Sequence, residues 1–177
     1  MENYHLIKIE LLSEANFSLE SLDSYNRKQI VNKVYRRIDR EYSLVECKYT
    51  EDWDLNKKRS VAKQISSDDY ITYIALENDR VVGFIGLLRK RNGPYMILDM
   101  MHVSSEYRGQ GVGRQLFEAG KAEARKAGAE ALYISACSSE ETIAFYRAMG
   151  SGLASNPIKE IAEEEPFDLQ MICPVKD

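Results

Sequence analysis

Tyr107-Arg108-Gly109-Gln110-Gly111-Val112-Gly113-Arg114 is the stretch of this 177-residue chain that decides its fold. It lies between an apolar run ending at Val103 and a segment of helical spacing that begins near Gly113. Three glycines let backbone approach a ligand closely and adopt dihedrals that other residues avoid. The loop feeds a helix N-terminus, whose first N–H groups have no internal partner and whose dipole end is positive. Strand, glycine loop and helix start together predict a cradle for phosphate or pyrophosphate, with Arg108 and Arg114 adding positive charge. Two nucleotide motifs fail on residues. A dinucleotide fingerprint needs GxGxxG, but the sixth position from Gly109 is Arg114 and from Gly111 is Leu116. No Gly-Lys-Ser or Gly-Lys-Thr occurs, so there is no P-loop.

Upstream, Tyr70 to Glu77 and Arg80 to Leu88 are strand-like runs separated by Asn78-Asp79, a tight hairpin signal. Arg91-Asn92-Gly93-Pro94 turns the chain into a third strand, Tyr95 to Val103, and the three make an antiparallel meander. Downstream, Gly113 to Ala127 reads as a helix through Leu116, Phe117, Gly120, Ala124 and Ala127, ended by Gly128. Leu132, Ile134 and Ala136 alternate in a strand. Ser138-Ser139-Glu140-Glu141 opens a helix from Glu140 to Met149, closed by Gly150. A last strand runs from about Asp168 to Cys173. The result is an α/β (α+β) fold: a mixed, mostly antiparallel sheet flanked by helices. The first 69 residues are less regular. Ser18 to Lys33 has helical spacing through Leu22, Ile30, Val31 and Val34, while Tyr35 to Cys47 fits a hairpin turning at Asp39-Arg40. Trp53 is read as core packing rather than substrate contact.

The length suits one domain over 1–177, since domains cluster at roughly 100–150 residues. No apolar run approaches the ~18–20 residues that span a bilayer, and MENYHLIKIE has no signal-peptide pattern. Cys47, Cys137 and Cys173 are odd in number and contain no CxxC. They predict neither a disulfide framework nor a zinc site, and only His5 and His102 remain for metal chemistry, so no metal is expected. A net charge of −4 argues against sequence-independent nucleic-acid binding. A cytoplasmic protein handling a small molecule or peptide is what remains, with neither membrane nor nucleic acid as a partner, acting as monomer or homodimer.

From about Tyr70 to Cys173 the chain resembles the GNAT superfamily of N-acetyltransferases. The resemblance rests on RGQGVG, which matches the family's (Arg/Gln)-x-x-Gly-x-(Gly/Ala) signature, on the preceding strand LDMMHVSSEY and on the later helix IAFYRAMG. It implies acetyl-CoA as cosubstrate, its pyrophosphate on the backbone of Gly109, Gln110, Gly111, Val112, Gly113 and Arg114, with Arg108 adding charge. It also implies that the pantetheine arm runs beside Met101, His102 and Val103 like an added strand, with the Val103 N–H donating to the thioester oxygen. Residues 1–69 would then shape the acceptor side, and 70–177 the acetyl-CoA-binding core.

The implied reaction is direct attack of an amine on the thioester in a ternary complex. Tyr146 matches the family tyrosine that protonates the departing thiolate. Asp99 is the side chain expected as base, because alternation puts it on one strand face with Met101 and Val103 unless a bulge shifts the register. Alternation points His102, whose pKa would suit a base, to the opposite face. Ser139 stands where the family often has an asparagine on the pantetheine arm, and it also fits a helix cap. Cys137 is read as a small buried residue. Glu160, Glu163, Glu164 and Glu165 cluster before the last strand, where they would either draw a cationic amine or form a solvated loop. Two functions stay open: an N-acetyltransferase acting on a primary amine of a small molecule or peptide, and a non-catalytic acyl-CoA-binding sensor of the same fold.

Overall fold

The computed structural model describes residues 6–176. His5 and the first half of the stretch MENYHLIKIE lie outside them. In chain order the strands are β1 (Lys8–Leu11), β2 (Gln29–Ile38), β3 (Glu41–Glu51), β4 (Tyr70–Glu77), β5 (Arg80–Leu88), β6 (Tyr95–Val103), β7 (Ala131–Ala136), β8 (Gly152–Leu153) and β9 (Leu169–Pro174). The helices are α1 (Leu55–Ile65), α2 (Val112–Lys126), α3 (Glu140–Ala148) and the short α4 (Lys159–Glu164), with a 3-10 turn at Ser105–Tyr107.

Seven strands form one sheet in the order β1-β4-β5-β6-β7-β9-β8, and β2 and β3 form a separate two-stranded sheet. All neighbours are antiparallel except β6 and β7. The two hairpin turns read from sequence are present. Asn78 and Asp79 have φ of 47° and 63°, and Asp39 and Arg40 have 48° and 73°. Two consecutive left-handed residues make the turn whose twist suits a two-residue hairpin.

A hydrophobic cluster covers each face of the sheet. On one face Ile85, Leu87, Met96 and Leu98 meet Leu116 and Phe117 of α2 and Ile143 of α3. On the other, Ile74 and Phe84 meet Val61, Ala62 and Ile65 of α1 together with Leu22 and Tyr25. α2 lies unusually close to the sheet, since a Cβ at Gly120 would stand 2.6 Å from Ile85 Cδ1. Trp53 is half-buried in the second cluster, stacked near Tyr25 and Phe84.

Residues 18–33 are not a helix. The chain runs through turns to residue 24 and then enters β2. Val31 and Val34 are both 1% exposed, while Ile30 is 62% exposed. A bulge between Val31 and Lys33 spaces the two inward residues three apart instead of two. The helix in this region is α1, whose start is capped by Asp54 accepting from Lys57 N at 2.7 Å.

Candidate active site

The site begins where β6 and β7 part. Their parallel pairing runs only from Tyr95/Ala131 to Leu98/Ile134, whereas β5 stays paired with β6 from Met100 to Val103. Beyond Leu98, therefore, one side of β6 has no strand beside it. Ser104 N–H bonds Val82 O at 2.8 Å on the β5 side. Backbone groups alternate along a strand, so the N–H and C=O groups of Met101 and Val103 face the gap.

The glycine loop closes one end of this gap. Gly109 and Gly111 have φ of 75° and 82°, and a Cβ on either would meet nothing within 4 Å. Gly111 caps α2 with no side-chain hydrogen bond. The first helical bond is Gln115 N to Gly111 O, 3.1 Å. The N–H groups of Val112, Gly113 and Arg114 therefore have no helical acceptor, and the first turn holds no acid that would compete with an anion. Gly113 lets α3 approach, since a Cβ there would stand 3.1 Å from the Phe145 ring.

A cavity of about 620 Å³ joins these pieces, lined by Met101, His102, Val103, Arg108, Gly109, Gly111, Gly113, Arg114 and Tyr146 of the expected set. The side chains of four expected residues point elsewhere, although the backbone of Val112 and Gln110 stays in the loop. Val112 is buried in the core, and Gln110 turns its side chain back to Glu106 O at 2.8 Å. Fully buried Ser139 caps α3, its Oγ accepting from Thr142 N at 3.3 Å and donating to Thr142 Oγ1 at 2.8 Å. Asp99 is the fourth. The β5–β6 register slips between Gly86/Met100 and Leu87/Leu98. The bulge puts Met96, Leu98, Met101 and Val103 toward α2 and leaves Asp99 on the other face. There it is exposed and accepts from Tyr70 Oη at 2.5 Å and Gln64 Nε2 at 3.4 Å. Burial, then this contact, pushes the Tyr70 phenol up to about 12.

Sequence reasoning missed Gln29 and Ile30, which line the cavity from β2, and Glu141, Thr142 and Phe145 from α3. Helical spacing from Tyr146 reaches Thr142. Nothing in the sequence signalled the β2 pair once that segment was read as a helix.

His102 is held at both ring nitrogens. Nδ1 lies 2.9 Å from Tyr25 Oη, and Nε2 lies 3.2 Å from Arg108 Nη2. A guanidinium only donates, so Nε2 accepts and the ring proton sits on Nδ1, facing Tyr25. Burial, with Arg27 and Arg108 nearby, holds the imidazole well below its usual range, so it is neutral. Arg108 also donates to Val103 O at 3.0 Å and to Arg27 O at 3.3 Å. Arg27 stands over Trp53 and pairs with Glu51 at 2.7 Å.

Across the gap, burial raises the Tyr146 phenol above its ordinary value, and Cys137 and Asp168 add to the effect. Asp168 accepts from Ser135 Oγ at 3.0 Å, and burial raises its carboxyl too, with Glu165 and Glu51 contributing. Burial likewise raises the Cys137 thiol, the opposite of what a thiolate nucleophile requires. The Glu160–Glu165 cluster is mostly carried by α4, where Glu160, Glu163 and Glu164 are exposed. Among the described residues, no group of three His, Cys, Asp or Glu is placed to hold a metal. No helix among them is long and apolar enough to cross a membrane.

These features define an acetyltransferase-type sheet, split beside a glycine loop. The Acetyltransferase (GNAT) family profile matches residues 33–151, and the chain belongs to that family. Its fold is shared with nourseothricin acetyltransferase, at TM-score 0.73 and 19% identity, over 96% of this chain and 99% of that one. A protein of Bacillus anthracis str. Ames, assigned as a streptothricin acetyltransferase and solved with acetyl coenzyme A, superposes at TM-score 0.72 and 20% identity, over 96% and 98% of the two chains. The ribosomal-protein-S18-alanine N-acetyltransferase of Escherichia coli gives 0.61 and 16%, over 97% and 96%. No curated protein matches the chain in sequence.

Proposed function

We propose that the protein transfers the acetyl group of acetyl-CoA to a primary amine of a small molecule or peptide, by direct attack in a ternary complex. The observation that carries this reading is the gap beyond Leu98/Ile134, with outward-facing Met101 and Val103 backbone along it and the uncapped start of α2 at its end. That frame fits the donor at both ends. Three N–H groups without helical acceptors, beside Arg114 and two open glycines, suit a pyrophosphate. Met101 and Val103 suit the amides of an extended pantetheine arm. In the complex, Val103 N–H stabilises the oxyanion, and Tyr146, a neutral phenol, protonates the thiolate. Residues 1–69 shape the acceptor side through Gln29 and Ile30, which line the cavity. Glu141, exposed on the cavity wall, favours a cationic acceptor. The fold neighbours named for nourseothricin and streptothricin lend support to that class. The cytoplasm, where acetyl-CoA is made and used, is the compartment that fits this reaction.

The test is release of CoA thiol from acetyl-CoA on addition of amines, including polyamines, aminoglycosides and a lysine peptide. Turnover with at least one amine is expected, with kcat falling ~10²-fold or more in Tyr146→Phe. If acetyl-CoA binds and no amine yields thiol, the protein is an acyl-CoA-binding module instead.

A further inference from the structure

Arg108 occupies two groups that the proposed reaction needs. Its Nε holds Val103 O, one of the outward carbonyls along the gap, and its Nη2 covers the only lone pair of His102. His102 belongs to the sheet face away from α2, against Tyr25 and Trp53, and also lines the cavity that the donor would occupy. Its Nδ1–H is fixed by Tyr25, and Nε2 is turned to Arg108, which lines the cavity with it. Asp99, the carboxylate that sequence alternation had favoured, is turned to Tyr70 and Gln64 instead.

Resting on the acetyltransferase reading, we propose that His102 Nε2 is the base for the acceptor amine and that Arg108 covers it until the donor binds. An extended donor arm pairing with Val103 O displaces Arg108 Nε, and the anionic pyrophosphate at Gly109–Arg114 gives the guanidinium a stronger partner than a neutral imidazole. The swing exposes Nε2. The acceptor ammonium then passes one proton to Nε2, making the imidazolium, whose Nδ1–H stays on Tyr25. The free amine attacks the thioester carbon, a C–N bond forms, and the C–S bond breaks with its electron pair on sulfur. The second nitrogen proton leaves through the Tyr146 phenol, which protonates the thiolate. Imidazolium returns its proton to solvent. Donor therefore binds before acceptor.

The charged and titratable groups around the ring are Arg108 and Arg27, Tyr25, Glu106 beside Ser104 and Asn26, and Glu51 on Arg27. Of these, only Arg108 touches Nε2.

The chain has two histidines, so proton–carbon NMR gives two Cε1–H signals, and His102→Gln assigns them. Titration of the full chain is followed free, with saturating CoA, and in free Arg108→Met. The His102 midpoint is expected to rise by about one pH unit, a tenfold change in the protonation equilibrium, both with CoA and in Arg108→Met. His102→Gln is expected to remove the acid limb of the kcat/KM profile while calorimetric CoA affinity stays within about threefold, a split that loss of packing alone would not give. If calorimetry shows saturation with CoA while the His102 signal and midpoint stay put, the switch is refuted and the acetyltransferase reading stands. If CoA fails to bind at all, both fall.

Discussion

Gly111→Ala separates the cradle from mere turn chemistry. Gly111 sits at φ 82°, ψ 2°, as the N-cap of α2. An L-residue held in that region costs about 1–2 kcal/mol, and a methyl there meets nothing within 4 Å, so no steric cost adds to it. For a chain of this size, 1 kcal/mol corresponds to a fall of about 2–4 °C in Tm. The second effect concerns the ligand. The methyl intrudes where an anion must reach the N–H groups of Val112 to Arg114. Losing two charge-assisted bonds at about 1.5 kcal/mol each weakens CoA binding by about 3 kcal/mol, or ~100-fold. Gly111→Asn is the control. Asparagine tolerates the left-handed region, so it should recover most of the Tm while its side chain still blocks the anion. Differential scanning calorimetry of free protein and isothermal titration with CoA read the two effects separately. Wild-type CoA affinity in Gly111→Ala would refute the reasoning, because the loop would then not carry the phosphates.

Three further outcomes follow from the same geometry. Ser139→Ala removes the cap of α3 and should cost about 1–2 kcal/mol in urea unfolding, with CoA affinity within about threefold of wild type; a large loss of affinity would return Ser139 to the binding site. Asp99→Asn should lower the Tyr70 titration only part of the way from about 12, because burial is the larger cause, and should leave kcat within about twofold; ultraviolet titration and a rate assay check it. His102 has its folded pKa below the unfolded value, so its stabilising effect is present above about pH 6.5 and lost as pH falls toward the folded pKa. Unfolding free energy should drop by about 1 kcal/mol more between pH 7 and 5.5 in wild type than in His102→Gln.

From Tyr70 onward the fold was legible because each element announced itself locally. Asn78-Asp79 marked a hairpin, the spacing Leu116, Phe117, Gly120, Ala124 marked α2, and Gly128 and Gly150 marked helix ends. The two clear misreadings share one cause. A bulge in β2 spaces Val31 and Val34 as a helix would, and a bulge in β6 moves Asp99 to the far face from Met101 and Val103. A bulge is a feature of pairing between strands, so it has no signature in one strand's own order of residues. The glycine loop was legible for the opposite reason, since Gly109 and Gly111 are demanded by local backbone, while Gly113 is demanded by the approach of Phe145. The opposite wall of the cavity joins Gln29 and Ile30 to His102 and Tyr146 across long sequence distances, and only the tertiary fold unites them.

The β2–β3 hairpin forms no strand pair with the seven-stranded sheet. Its backbone meets the rest of the fold at the bridge Val34–Ser139 and the bond from Tyr35 N to Ser138 O at 2.8 Å, its side chains add Arg36 to Ser138 Oγ and Arg147 to Tyr35 Oη, and it supplies one wall of the cavity. Insertion, deletion or drift around its Asp39-Arg40 tip leaves every pairing of the main sheet intact, so one wall of the cavity can change shape among descendants of this chain while the split sheet and glycine loop are inherited unchanged.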